Sequence, residues 1–205
     1  MPNTLAHAGL QGFATRMAAH RADLKWAYLG CVIPDVPWIL QRAAHALALG
    51  LDPYLLRSYV IIQASLLGCL ILSAAGALLA RAFWWTWGLL SGNAALHLVL
   101  DAMQTKWGNG VHFWAPLSWD LTNWGLFWPE SVPTYALTAF GLLYVVLYWQ
   151  PSVANPLGET WPGVSRSAGI LVLLASYFLG PLLMLEKPVE ADAHSLKTLS
   201  KTEER

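Results

Sequence analysis

The chain has 205 residues, of which 56% are hydrophobic and only 12% charged, where soluble domains carry ~25%. Lysine plus arginine balance aspartate plus glutamate at 12 each, which removes the electrostatic case for nucleic acid as a partner. The 12 tryptophans and a mean hydropathy of +0.45 point to an all-α integral membrane protein with aromatic residues at its interfaces. The expected layout is one helical membrane domain over 1–186 and a polar, disordered tail over 187–205. About four transmembrane helices are expected, plus an N-terminal amphipathic helix and a proline-broken segment that is re-entrant or a fifth span. The first residues lack the basic and apolar regions of a cleavable signal peptide. Cys31 and Cys69 lie in apolar surroundings and read as buried free thiols.

In chain order, residues 4–21 come first. Leu5, Gly9, Phe13 and Met17 share one helical stripe, but His7, Gln11 and Arg16 interrupt the segment too often for a span. Residues 26–49 are apolar but broken at Pro34-Asp35-Val36-Pro37, since each proline lacks a donor and Pro37 restricts Val36. Asp35 at that break is a candidate ligand, or else the cap of the helix that restarts after it. Gly50 to Pro53 is a turn, and Leu55 to Ala80 is long enough to cross a bilayer as one helix between Arg57 and Arg81.

The next run, from Trp84 to Met103, carries Asn93, His97 and Asp101 at i, i+4 and i+8, hence on one helical face. Such groups are costly in a membrane segment and face a partner or a cavity. They are either a polar seam between helices or half of a metal site with imidazole and carboxylate ligands. Residues 104–133 are rich in Trp, Gly and Pro and contain His112, Asp120 and Glu130. They read as an ordered cap over a site. Tyr135 to Trp149 and Ile170 to Leu185 supply two more spans, and Lys187, Lys197, Lys201 and Arg205 place the tail in the cytoplasm. Counting back, with the Pro34 segment re-entrant, puts His7, Asp35 and the Asp101 end of the 84–103 run on that same side. His20, His45 and His194 read as solvent-facing or interfacial.

Three elements together resemble one family. They are Thr4-Leu-Ala-His7, then Gly30-Cys-Val-Ile-Pro-Asp35, then His97-Leu-Val-Leu-Asp101 followed by Gly108, Gly110 and Pro116. Their order and spacing resemble the bacterial membrane-bound, metal-dependent hydrolases described as LexA-regulated inner-membrane (YdjM-like) proteins, over residues 1–120. The chain departs from that pattern in having Pro37-Trp38 after the Pro-Asp. It also has no histidine in the segment from Arg57 to Ser65, where many members carry Arg-Gly-x-Thr-His-Ser. The resemblance implies a multi-pass protein of the bacterial inner membrane. It also implies a divalent metal held by His7, Asp35, His97 and Asp101.

That N/O donor set suits zinc first, then manganese or iron, better than calcium. Asp35 or His112 is then the candidate general base, with Asn93, Gln11 and Thr4 supporting the ligands from behind. The expected function is hydrolysis of an ester or phosphoester at the membrane interface, with membrane lipids as partners and a lipid as the plausible substrate. The alternative is a non-catalytic membrane protein, a small transporter or scaffold. There His97, Asp101 and Asp35 would form an ion pathway or packing glue.

Overall fold

The structure is a computed structural model that describes residues 4–20, 22–105, 110–128, 130–148 and 163–185. The tail expected over 187–205 lies outside the described residues, as do Gly108, His194 and the side chain of Thr4. Among the described residues the chain is helical as expected, with no strand and only two isolated bridges, Gln104 to Phe127 and Val111 to Thr122.

Helix α1 spans Thr4–Ala18 and α2 spans Leu24–Val32. Asp23 starts α2 by accepting a hydrogen bond from the Lys25 N–H at 3.2 Å. The expected proline break is a single tight turn: a 3₁₀ segment, Ile33–Asp35, leads directly into α3, Val36–Ala46. Pro34 and Pro37 each sit in the first turn of their segment, where a missing N–H costs nothing. Asp35 precedes α3 but makes no side-chain cap hydrogen bond, so its carboxylate serves another purpose.

The single helix expected from Leu55 to Ala80 is instead two, α4 (Pro53–Ala64) and α5 (Leu66–Ala77), bent by 62°. Ser65 makes the break. Its ψ of 167° leaves the helix, and its Oγ accepts from the Gly68 N–H at 3.3 Å to cap α5. The Leu66 N–H freed by the bend donates to the Phe113 carbonyl of the following loop at 3.1 Å. Helix α6 (Phe83–Ala102) is followed by that loop, then by α7 (Val132–Tyr148) and α8 (Val164–Met184).

Helix α6 is the hub, packing against α1, α2, α5 and the 3₁₀ turn. Its inner face joins Trp26, Ile33 and Cys69 in a core with Leu90, Ala94 and Leu98. Gly30 lets α2 come close: a Cβ there would stand 2.6 Å from the Leu90 carbonyl oxygen and 2.9 Å from Asn93 Cβ. Gly9 of α1 likewise meets the Gly141 backbone of α7 with no room for a side chain. Helix α8 leans on α4 and α5, where Gln63 donates to the Tyr177 carbonyl at 3.3 Å and Tyr59 to the Phe178 carbonyl at 3.0 Å.

The apolar stripe read along α1 faces α7, with Gly9 against Gly141 and the Phe13 ring against Phe140 and Tyr144, while Met17 at its end is 74% exposed. The helix buries His7, Gln11 and Thr15. Among the described residues, α8 alone is long and apolar enough to cross a membrane. The bent α4–α5 pair passes only if it counts as one span, and α7 is a shorter apolar helix.

Candidate metal centre

The i, i+4, i+8 stripe of α6 meets a second stripe of the same period on α1, running the other way. Thr15 Oγ1 donates to Asn93 Oδ1 at 3.1 Å, and Asn93 Nδ2 donates to the Leu89 carbonyl at 2.9 Å. One turn along, the Gln11 amide takes the orientation in which its nitrogen donates to the Asn93 carbonyl. Its oxygen then accepts from the His97 backbone N–H, each at 3.2 Å. One turn further, His7 meets His97 and Asp101. Four-residue spacing on each helix brings like levels together, and each level is more ionisable than the one before.

At the ionisable level the imidazoles of His7 and His97 lie 4.3 Å apart, centroid to centroid, tilted by 32°. His7 Nε2 stands 3.7 Å from Asp101 Oδ1, and His97 Nε2 stands 3.8 Å from Asp101 Oδ2. Asp35 Oδ1 approaches the same His97 Nε2 at 3.7 Å. These separations are too long for hydrogen bonds, which span ~2.7–3.2 Å at nitrogen. Bonds of about 2.0–2.2 Å to a tetrahedral ion would set donor atoms roughly 3.3–3.6 Å apart, a little shorter than the 3.7 and 3.8 Å found.

One donor atom each from His7, His97 and Asp101 falls within 4.8 Å of the other two, so these residues could hold a metal ion. Asp35 stands just beyond that trio, against His97. The group is buried, with His97 only 2% exposed and His7 4%. Neutral imidazoles and carboxylates in that position fit a divalent cation, because they present nitrogen and oxygen with a net negative charge.

His97 is held from both sides. Its Nε2 faces the two carboxylates, while its Nδ1 lies 3.7 Å from Cys31 Sγ. A metal ligand at Nε2 leaves the ring proton on Nδ1, directed at the thiol sulfur, an arrangement that fixes both tautomer and ring plane. Cys31 follows Gly30, so the close approach of α2 to α6 delivers the sulfur. Cys31 and Cys69 are both buried and free.

Asp101 also forms part of the wall of a cavity of about 380 Å³ between α3, α4, the end of α6 and the loop. Its other polar contributors are Gln41, Arg42, Arg57 and His112. The loop is tied down over this cavity. Trp124 N–H donates to the Ala102 carbonyl and Leu126 N–H to the Met103 carbonyl, both at 2.7 Å. His112 Nδ1 lies 3.0 Å from the Trp119 carbonyl oxygen. A carbonyl only accepts, so Nδ1 carries the proton and the lone pair of the neutral ring is on Nε2.

The structure thus brings together His7, His97 and Asp101, sets Asp35 beside them, and puts His112 on the adjoining cavity wall. Asn93 and Gln11 stand one level behind, while Asp120 is exposed and bonded to Ser118 instead. His20 and His45 are exposed at the surface. Thr15, Cys31, Arg42 and Arg57 escaped the sequence reading as parts of the site. No family model, curated protein or solved structure matches the chain.

Proposed function

We propose that the chain is a membrane-embedded, metal-dependent hydrolase whose His7, His97 and Asp101 hold a divalent ion beside a capped cavity. The observation that carries this reading is the convergence of those three donors within 4.8 Å on buried polar stripes. The resemblance to the bacterial inner-membrane hydrolases, with its Thr-His, Pro-Asp and His-x-x-x-Asp elements, points the same way. Zinc is the first candidate, with manganese or iron next, because two imidazoles and a carboxylate dominate the donor set.

The membrane setting is supported by a distribution of residues that is inverted relative to a water-soluble bundle. Polar side chains lie at the α1–α6 contact, whereas Leu143, Val146, Leu171, Val172 and Leu183 are exposed. Helix α6 has 20 residues, ~30 Å at 1.5 Å each, which equals the hydrocarbon thickness of a bilayer. Exposed Trp84 and Trp85 lie at one end of it, and exposed Trp124, hydrogen-bonded to Ala102, at the other. Aromatic side chains at both ends of a span are what two interfacial belts would require. Four spans, with a cytoplasmic C-terminus, are the topology we adopt, α4 and α5 being one broken span.

The reaction proposed is hydrolysis of an ester or phosphoester at the interface. When bound, a divalent ion supplies Lewis acidity and lowers the pKa of a coordinated water toward ~7. Cys31 orients the His97 ring from its Nδ1 edge, and Asp35 beside Nε2 would add a negative charge next to the ion. His112 Nε2 takes the proton from the attacking water and returns it to the leaving oxygen. The water oxygen joins the phosphorus or carbonyl carbon as the bond to that leaving oxygen breaks. The capping loop keeps bulk water from the cavity.

Hydrogen bonds from Thr15 and Gln11 to the α6 level of Asn93 favour a second reading, in which the stripe is only packing glue. Metal analysis separates the two. Purified protein is expected to carry close to one zinc per chain, lost in His7→Ala and Asp101→Ala and kept in Thr15→Val. Metal-free parent protein under zinc-replete expression would leave the packing reading.

A further inference from the structure

Two arginines share the cavity with Asp101, and they reach it from separate helices. On α3, Trp38, Gln41 and Arg42 fall at i, i+3 and i+4, and they border the cavity together with Pro34 of the 3₁₀ turn. On α4, Arg57, Ile61 and Ala64 repeat i, i+4 and i+7 on the facing wall. The turn at Ile33–Asp35 aims α3, and the Asp52 cap, accepting from Tyr54 and Leu55 N–H at 2.8 and 3.0 Å, fixes the start of α4. Arg42 and Arg57 are exposed residues, whereas Asp101 is partly buried, so the cations line the outer part of the cavity and Asp101, the metal donor that borders it, the inner part.

From this placement we infer that Arg42 and Arg57 bind the phosphoryl group of the substrate, making the enzyme selective for a phosphomonoester over a neutral carboxylic ester. The inference rests on the metal-centre reading. The charges explain the choice. Asp35 and Asp101 carry two negative charges against two positive charges on Arg42 and Arg57, and both imidazoles are neutral when they ligate a metal. A divalent ion then leaves the site two charges positive, which a phosphomonoester dianion neutralises and an uncharged ester does not. Guanidinium suits this work, since its planar fork donates two parallel hydrogen bonds to phosphate oxygens. Gln41 adds an amide on the same wall.

Trp38, Ile61 and Leu121 supply the apolar part of the lining, where the first carbons of an alkyl chain or a glycerol unit would lie. A volume of about 380 Å³ is at the small end of ligand cavities, ~300–1,000 Å³. It admits a phosphorylated headgroup but not a whole lipid, whose chains would remain in the bilayer. The same phosphoryl chemistry could come from a soluble phosphate ester.

The test uses the full chain, zinc-loaded, with inorganic phosphate as the probe and calorimetry as the readout. Arg42→Gln and Arg57→Gln are each expected to weaken phosphate binding ten-fold or more, with zinc content unchanged. Arg57→Lys is expected to fall between parent and Arg57→Gln, because a point charge replaces the fork, and it guards against misfolding of the bolder variant. Phosphate affinity equal to the parent in both Gln variants overturns the inference, whatever the zinc content. Parent protein that lacks zinc but binds phosphate through these arginines keeps the anion site and removes the metal-centre reading.

A second arm distinguishes the sources. In nanodiscs, arginine-dependent binding to phosphatidate over phosphatidylcholine assigns the group to a lipid headgroup. Arginine-dependent binding of inorganic phosphate without that preference assigns it to a soluble ester. Absence of binding to either probe overturns the inference.

Discussion

At the scale of single residues, the site depends on how His97 is held. Its ring is one that both carboxylates approach, and Cys31 closes the opposite edge at 3.7 Å. Groups behind a ligand typically contribute ten- to a hundred-fold in metal affinity, by restricting the ring and raising its basicity. A thiol is a weak acceptor, so the effect here belongs at the low end. Cys31→Ala is expected to weaken zinc binding by about ten-fold while the stoichiometry stays near one. Competition with a chromophoric chelator measures this, and an unchanged affinity would show that the sulfur only fills space. His97 and Asp101 could be singled out from the sequence because a four-residue repeat of polar groups in an apolar run is visible without any fold. Arg42 and Arg57 could not, since a cation near the end of an apolar segment reads equally as an interfacial anchor. Only the meeting of α3 with α4 distinguishes the two roles.

At the scale of helices, the site exists because α2 and α1 come unusually close to α6. Gly30 controls the first approach, and a valine there would place its Cβ 2.6 Å from the Leu90 carbonyl, which belongs to rigid helix backbone. The helix must therefore move away, taking Cys31 and Asp35 with it. Gly30→Val is expected to cost about 3 kcal/mol, the upper end of overpacking penalties, and to weaken zinc binding as well. Gly92→Ala is the matched control. Nothing lies within 4 Å of its Cβ, and replacing a helical glycine adds up to ~1 kcal/mol of stability. Thermal unfolding in detergent, with zinc content measured beside it, reads both; equal stabilities would remove the packing argument.

The same scale explains what the sequence hid. The break at Pro34–Pro37 was legible, because proline chemistry is local. The break at Ser65 was not, since the run on either side is uniformly apolar and a serine cap leaves no mark in hydropathy. The inward face of α1 was also hidden. The polar residues His7, Gln11 and Thr15 read only as interruptions of an apolar segment, because their partners appear only once α6 is alongside.

For the whole molecule, the arrangement of polarity makes solubility the deciding property. Exposed leucines and valines cover α7 and α8, and the charged groups of the site are gathered at one end. In water those apolar side chains would lie open to solvent, a face that a lipid or protein covering would remove from it. Lipid fits better, because Thr15, Gln11 and Asn93 at the α1–α6 contact are hydrogen-bonded within the protein, as a bilayer demands. In the topology we propose, the cavity and its arginines would sit at the headgroup level, where a phosphorylated group would enter while its chains stayed in the hydrocarbon. The chain is accordingly expected to remain in the membrane pellet after alkaline carbonate extraction, and to need detergent for release. A cysteine introduced at exposed Leu117 of the capping loop should react with a membrane-impermeant maleimide. One introduced at exposed Val146 of α7 should not. Release of the chain by carbonate, or equal labelling at the two positions, would place the apolar face against protein instead of lipid and remove the interfacial route to the cavity.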